Sequence, residues 1–142
     1  MILNTRKFLF KTISSSVGNL VPLESLKQIP FELKRVYYIY GVPKNVTRGF
    51  HSHKLLEQIL ICVHGKVKIK LKTLTEEEVV VLDEPNIGLY IGSMVWREMF
   101  DFTSDAVLLV LASEYYTEDD YIRDYSTYIK EAAEFYNKKE NN

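Results

Sequence analysis

The sequence predicts an all-β protein, a jelly roll or small β-barrel, followed by a single C-terminal α-helix. Three observations carry this. Val67, Ile69 and Leu71 alternate with Lys66, Lys68, Lys70 and Lys72, a period of two that puts one strand face in a core and a lysine row in solvent. Short apolar or aromatic runs recur along the first hundred-odd residues without the strand–helix alternation that a doubly wound sheet needs. After Thr117 the period changes, and Ile122, Tyr125, Ile129, Ala132 and Tyr136 recur at helical spacing.

Taken in order, residues 2–10 are mixed apolar and basic, and residues 14–19 (SSSVGN) form a turn cluster. Residues 35–40 are β-branched and aromatic and end at Gly41-Val42-Pro43. Residues 58–63 suit a buried strand, with His64-Gly65 as its turn; residues 79–82 and 107–111 are continuous apolar strands. Thr117 is the expected helix N-cap, with Asp120 three positions on as a weak capping box and Glu118 and Asp119 favouring the start. Tyr121, Tyr128 and Phe135 widen the helical stripe, and Lys138 and Lys139 suit its end. No repeat or linker interrupts residues 1–142, which read as one domain.

Composition excludes several classes. Of 142 residues 46% are hydrophobic and 26% charged, which is globular rather than disordered. A net charge of -1 gives no polyanion-binding surface, so no nucleic-acid partner is expected. The lone Cys62 cannot form an intramolecular disulfide and fits a reducing compartment. No apolar run approaches the ~18 residues of a membrane span. The apolar start is broken by Asn4, Arg6, Lys7 and Lys11 and lacks a signal-peptide core, so a cytoplasmic location is expected.

Chemistry concentrates in Arg48-Gly49-Phe50-His51-Ser52-His53-Lys54. In a strand, His51 and His53 project from one face with side-chain origins about 6.5–7 Å apart. Imidazole, ordinarily near pKa 6.5, is the group best matched to moving protons at neutral pH. An arbitrary H-x-H pair is more often structural; the flanking cations and a later aromatic and cationic cluster weigh against that here. A metal reading also exists. His51, His53 and Glu57, with Gly65 later, match the first half of the cupin metal motif, and such a donor set suits iron, manganese or zinc. The second half needs another histidine. Residues 88–98 hold none, and His64 lies in a turn, so the sequence reads as a cupin that has kept a histidine pair and lost the metal.

The runs RGFHSHKLLEQILICVHGKVKI, KRVYYIYGVP, IGLYIGSMVWREMFDFTSDAVLLVLAS and EYYTEDDYIRDY together resemble the nucleotide-sugar 3,4-ketoisomerases, WxcM-like cupins acting on dTDP-4-keto-6-deoxy-D-glucose. The resemblance spans roughly residues 5 to 128. It implies a cupin jelly roll that makes a dTDP-3-keto-6-deoxyhexose for a 3-aminotransferase, in the biosynthesis of 3-amino-3,6-dideoxyhexoses for surface glycans. It also implies no metal, no cofactor, and a homodimer with N-terminal strand exchange. Residues Ile2, Leu3, Phe8, Leu9 and Phe10 are indeed too apolar for a free tail. By resemblance His51 is the carbon base and His53 the partner for oxygen protonation.

The residue chemistry fits that reaction. The C-3 hydrogen of a 4-keto sugar is acidified by the carbonyl, a base can remove it to give an enediolate, and reprotonation at C-4 leaves a 3-ketone. Arg35, Arg48 and Lys54 are candidates for the diphosphate, Arg35 about as much so as an ordinary surface charge. Tyr37 shares the strand face of Arg35 and is expected at the sugar, with Tyr38 in the core. Tyr90 and Arg97 are expected on the opposite wall, Trp96 in the core, and Glu57 orienting a histidine. Cys62 is expected to be a buried, inert thiol.

Two positions depart from the family pattern: Val17 stands where many members have Arg, and Arg97 where many have His. Both segments are expected near the sugar. Arg97 cannot release a proton and Val17 cannot bond, so the histidine that takes the C-3 proton is expected to return it at C-4, with the D-gluco product favoured. The rival readings are a nucleotide-sugar 3,5-epimerase, which uses a His with an Asp, and a non-catalytic nucleotide-sugar-binding cupin module. A metal-dependent oxygenase comes last.

Overall fold

Strand alternation in this chain resolves into two faces of a sandwich. The computed structural model describes residues 1–140. Its strands are β1 (Thr5–Leu9), β2 (Ile13–Ser15), β3 (Gly18–Leu20), β4 (Arg35–Tyr40), β5 (Arg48–His53), β6 (Gln58–His64), β7 (Val67–Lys72), β8 (Glu77–Leu82), β9 (Ile87–Ile91), β10 (Trp96–Phe100), β11 (Val107–Ala112) and β12 (Tyr121–Ile122), and one α-helix, α1 (Tyr125–Glu140), closes the described residues. One antiparallel sheet runs β1-β9-β6-β11-β4 and a second runs β12-β5-β10-β7-β8; β2 and β3 form a separate hairpin. This is the all-β jelly roll with a C-terminal helix that the sequence predicts.

The lysine strand shows why the pattern works. Val67, Ile69 and Leu71 are buried in the core between the sheets, opposite Leu82, Val80 and Glu78 of β8. Lys68 and Lys70 stand on the other face beside Asp101 and Glu77. Central strand β6 has two buried faces instead. Leu60 and Cys62 point into the sandwich, while Ile59 and Ile61 meet Phe10, Ile29, Phe31 and Leu111 on the outer side. Its run of apolar residues is therefore continuous rather than alternating. Cys62 is a buried thiol as expected, and Trp96 is buried under α1.

Three expectations need correction. Tyr38 is not core: β4 is an edge strand, and its odd positions Arg35, Tyr37 and Ile39 turn inward, leaving Tyr38 62% exposed. The turn cluster at 14–19 is the β2–β3 hairpin, and Val17 at its tip is 93% exposed. The helix begins later than Thr117, whose side chain caps nothing. Glu118–Asp120 is a single 3₁₀ turn, Tyr121–Ile122 pairs with β5, and Asp124 caps α1 by accepting the Thr127 N–H at 2.9 Å. The buried seam of the helix is Tyr128 and Ala132, flanked by Phe135 and Tyr136, while Ile129 is largely exposed.

Tyr128 fixes α1 to the second sheet. It is fully buried, and its hydroxyl lies 3.0 Å from both the Lys72 and Met94 carbonyls. Met94 O also accepts from Tyr136, but among the described residues no other side chain reaches Lys72 O. Tyr128→Phe keeps the ring and removes the hydroxyl. A loss of about 1–2 kcal/mol is expected in urea unfolding, since one bond and one satisfied carbonyl are lost.

Candidate active site

The site begins at a break in β5. Arg97 of β10 pairs with His51, but the next residue, Glu98, pairs with Gly49, so Phe50 has no partner. This is a β-bulge, with positive φ at Gly49 (95°) and Phe50 (54°). A Cβ on Gly49 would lie 3.0 Å from the Arg97 carbonyl, so glycine is needed for approach as well as for φ. The bulge throws Phe50 outward and turns His51 and His53 into the end of the sandwich.

That end is polar. Arg35 and Tyr37 enter from β4, Gln58 from β6, Arg97 and Met99 from β10, and Tyr121 from β12. An open hollow of about 490 Å³ is lined by Arg35, Tyr37, Arg48, His51, Tyr121 and Arg123, among others. A smaller one of about 210 Å³ is lined by His53, Ser113, Thr117 and Asp120, and Arg35 and Tyr121 border both. The two imidazoles meet edge to face, centroids 4.9 Å apart, and Tyr121 packs on both at 5.0 and 4.3 Å. Arg35 lies between Tyr37 and Tyr116, 5.3 and 5.7 Å from the ring centroids.

Each histidine keeps one ring nitrogen without a protein partner. His53 Nδ1 lies 3.1 Å from Asp120 Oδ2, and that carboxylate also accepts the Leu55 and Leu56 N–H groups. Nδ1 of His53 therefore carries the proton, and its buried Nε2 is left with the lone pair. His51 Nδ1 is likewise buried and free. Beneath them lies Arg97, 2% exposed, whose partners are neutral oxygens: Gln58 Oε1 at 2.6 Å and Val95 O at 3.1 and 3.3 Å.

This buried cation sets the electrostatics. Burial pushes the Arg97 guanidinium down to about 10, which still leaves it charged. Burial and then Arg97 push His51 down to about 3. The same two causes push His53 down, with His51, Arg35 and Arg123 adding to them. Both imidazoles are thus neutral near pH 7 and can accept protons, in a place where positive charge is already in excess and an anion is stabilised.

The structure gathers His51, His53, Arg35, Tyr37 and Arg48 at the hollows as the sequence predicts. Others lie elsewhere. Arg97 is not on an opposite wall: antiparallel pairing places it beside His51 on the same wall, and it is buried beneath the pocket. Tyr90 alternates with inward Leu89 and Ile91, so it faces the outer side of the first sheet, where its hydroxyl donates to Glu57 Oε1 at 2.6 Å. Glu57 therefore orients no histidine; Asp120 does. Lys54 follows the inward His53 and so points out, exposed and lining neither hollow. Val17 lines neither hollow within the chain.

Sequence reasoning missed Asp120, Gln58 and Tyr121. Asp120 reads as part of a helix cap, and Gln58 as the start of an apolar strand; only the paired sheet shows where either points. Among the described residues, no three His, Cys, Asp or Glu side chains converge as a metal site would need.

A sandwich whose open end holds paired imidazoles belongs with the cupins, and comparison with known proteins narrows this. The family model described as FdtA, WxcM-like C-terminal, matches residues 4–133, so the chain belongs to that family. The TDP-4-oxo-6-deoxy-α-D-glucose-3,4-oxoisomerase of Aneurinibacillus thermoaerophilus is 48% identical over 131 residues, 92% of this chain and 94% of that one. QdtA, a sugar 3,4-ketoisomerase of Thermoanaerobacterium thermosaccharolyticum solved with TDP, is 57% identical, with a TM-score of 0.93 over 94% of this chain and 98% of its own. A QdtA variant with one histidine replaced by asparagine has been solved with TDP-4-keto-6-deoxyglucose. WlaRB, the TDP-quinovose 3,4-ketoisomerase of Campylobacter jejuni, is 44% identical, with a TM-score of 0.88 over 91% of this chain and 99% of its own.

The depressed His51 titration has a measurable consequence. An unfolded-chain histidine titrates near 6.5 and the native one near 3, so the unfolded state binds more protons between those values. The stability that His51 leaves intact above pH 6.5 is lost as pH falls, at up to about 1.4 kcal/mol per pH unit. His51→Asn should flatten the fall of unfolding free energy between about pH 6 and pH 4 by that slope, read from urea titrations at each pH.

Proposed function

We propose that this protein is a dTDP-sugar 3,4-ketoisomerase converting dTDP-4-keto-6-deoxy-D-glucose to dTDP-3-keto-6-deoxy-D-glucose. The observation that carries the reading is the pair of buried neutral imidazoles on one strand face, beside a buried guanidinium held only by neutral oxygens and opening on a hollow bordered by Arg35 and Arg48. QdtA with TDP, and its variant with the 4-keto sugar, support the same substrate class.

The groups suffice for the chemistry. His51 takes the C-3 proton and the C3–H electron pair forms the enediolate, whose charge Arg97 stabilises from below. His53 Nε2 accepts the O-3 proton and returns it to O-4, while Asp120 holds the Nδ1 proton in place. A proton delivered to C-4 completes the 3-ketone, and no redox or metal step is called on. Arg35 and Arg48 face the diphosphate. The WlaRB comparison supports the D-gluco product, quinovose being the gluco 6-deoxyhexose. The route expected from sequence needs correcting, however. H-3 and H-4 of a gluco pyranose lie on opposite ring faces, so return by His51 on its own face would give the galacto isomer. The C-4 proton must come from the other face, which the open mouth of the hollow gives to water.

With dTDP-4-keto-6-deoxyglucose the protein should form a 3-ketone with a large H-4/H-5 coupling in H₂O and deuterium at C-4 in D₂O. Turnover should survive prolonged chelation, and C-5 should stay unlabelled, since C-5 exchange is the mark of the epimerase that the His53–Asp120 pair could otherwise serve. His51→Asn should slow turnover by about 10²–10⁴ with TDP affinity unchanged. Wild-type turnover by that variant removes His51 from the mechanism.

The same proposal places the enzyme in the cytoplasm, in 3-amino-3,6-dideoxyhexose biosynthesis for surface glycans, as a homodimer with N-terminal strand exchange. The buried single thiol supports the compartment. No helix among the described residues is long and apolar enough to cross a membrane. β1 pairs with β9 of its own chain, so the segments that support a dimer are the exposed β2–β3 hairpin, with Ile13, Val17 and Leu20, and the outward face of edge strand β4, with Val36, Tyr38 and Tyr40. Light scattering at micromolar concentration should give a dimer mass, and Tyr38→Glu should shift it towards monomer. A monomeric wild type would overturn this part.

A further inference from the structure

The guanidinium of Arg97 and the backbone of His53 are held by one short turn, and α1 holds that turn from the outer side of the second sheet. Residues 92–95 carry the chain from β9 in the first sheet to β10 in the second. Met94, in this turn, is buried and left-handed at φ 61°. A residue with a Cβ resists that conformation, so its surroundings must impose it. The Met94 N–H donates to the His53 carbonyl at 2.8 Å. The Met94 carbonyl lies 2.8 Å from the Tyr136 hydroxyl and 3.0 Å from the Tyr128 hydroxyl, both on α1. The next carbonyl, of Val95, accepts from Arg97 Nη2 at 3.1 Å and from Nε at 3.3 Å. We propose that Tyr128 and Tyr136 are positioning residues for the isomerisation, acting through the Met94–Val95 turn on Arg97 and His53.

The rest of the turn is tied as well. Gly92 N–H donates to the Asn4 carbonyl at 2.7 Å, and Asn4 Nδ2 donates to the Ser93 carbonyl at 2.9 Å. Val95 is sealed inside the sandwich, while the Met94 side chain packs beneath α1. The peptide before Met94 is thus bonded to β5 and the peptide after it to α1. Turning Met94 out of the left-handed region breaks one bond or the other and swings the Val95 carbonyl. Arg97 then loses two of its three hydrogen bonds and keeps only Gln58 Oε1. It has no carboxylate to retain it. Charge interactions vary inversely with distance, so its action on the imidazoles and on an enediolate moves with that carbonyl.

The two hydroxyls substitute for each other. A tyrosine has one proton to donate, and the Tyr128 hydroxyl is 3.0 Å from the Lys72 carbonyl as well as from Met94 O. With Tyr136 lost, Tyr128 still reaches Met94 O; with Tyr128 lost, Tyr136 does. With both lost, no other side chain among the described residues donates to Met94 O, and nothing holds the turn from the side of α1. A misplacement of about 1 Å caused far from the chemistry can cost about 10²-fold in rate.

This inference rests on the ketoisomerase reading, and two readouts separate them. Tyr128→Phe and Tyr136→Phe should each lower kcat less than about threefold, and the double variant at least about tenfold more than the product of the two, with TDP affinity unchanged. A double loss equal to that product, or no loss at all, overturns the proposal.

The second readout needs no substrate. The Arg97 Nε–H should exchange with D₂O faster in the double variant than in the wild type, while the β6 amides keep their protection. Equal acceleration of both, or an unmoved Nε–H, overturns the proposal even if the wild type isomerises. Selective acceleration in a protein that isomerises nothing supports the hold of α1 on Arg97 and overturns the ketoisomerase reading. Should the double variant not fold, Met94→Ala and Met94→Gly both delete the side chain beyond Cβ, and only alanine keeps a Cβ to resist φ 61°. In the Tyr136→Phe background alanine should lose at least about threefold more kcat than glycine. Equal losses overturn the proposal.

Discussion

The bulge at Gly49–Phe50 decides what the rest of the active site can be. A strand alternates its faces strictly, so one extra residue reverses the facing of everything beyond it. Because Phe50 is unpaired, His51 falls opposite Arg97, and both side chains point into the sandwich. Without the extra residue, the register set by Arg48 and Met99 would carry His51 and His53 to the face under α1. Glycine at 49 is part of the same constraint, since a side chain there would press on the Arg97 carbonyl.

Once Arg97 and the histidines share that end, their properties are coupled. A buried guanidinium with neutral partners is costly to hold and raises the potential around it. It lowers the proton affinity of both imidazoles and favours an anion in the hollow beside them. The two effects serve one reaction, because a base must begin unprotonated and the enediolate must be stabilised. Of the two imidazoles Asp120 bonds His53 alone, so the two members of an H-x-H pair are not equivalent. At His51 burial and Arg97 outweigh the opposing Gly49 backbone and Glu118, whereas His53 has a carboxylate that holds one proton and a free nitrogen for another.

Much of this fold was legible in the chain. The alternation of Val67, Ile69 and Leu71 with lysines is a period that tertiary structure had no reason to override, and β7 spans those residues. That His51 shares a face with His53, and Arg35 with Tyr37, is likewise a consequence of period two; that the histidines face inward depends on the bulge. What the sequence did not reveal is which strands lie side by side. Arg97 looked like an opposite wall because nothing local says that β10 is the neighbour of β5. Asp120 looked like a helix cap because Thr117-Glu118-Asp119-Asp120 has the right residue types. Tyr121 and Ile122 pairing with β5 stopped the helix from starting there and delivered the carboxylate to His53. Tyr38 was misplaced because propensity alone does not tell an edge strand from a central one.

The distribution of unsatisfied groups shows how such a site is tolerated. Among the described residues Arg35 Nε, His51 Nδ1 and His53 Nε2 are buried without protein partners at the same end of the sandwich, and the two others, Ser52 Oγ and Glu131 Oε2, lie on the other face of β5 and on α1. Each costs about 1–3 kcal/mol when it meets neither water nor ligand. Further along the strands the sandwich carries Val67, Leu82 and Leu89, all essentially without exposure, and α1 is anchored through Tyr128 on the other face of the second sheet. The stabilising apolar area and the destabilising polar cluster are thus separated along one set of strands. A substrate whose oxygens and phosphates engage those groups satisfies them without any repacking of the core, so binding and folding draw on different ends of the same sheets.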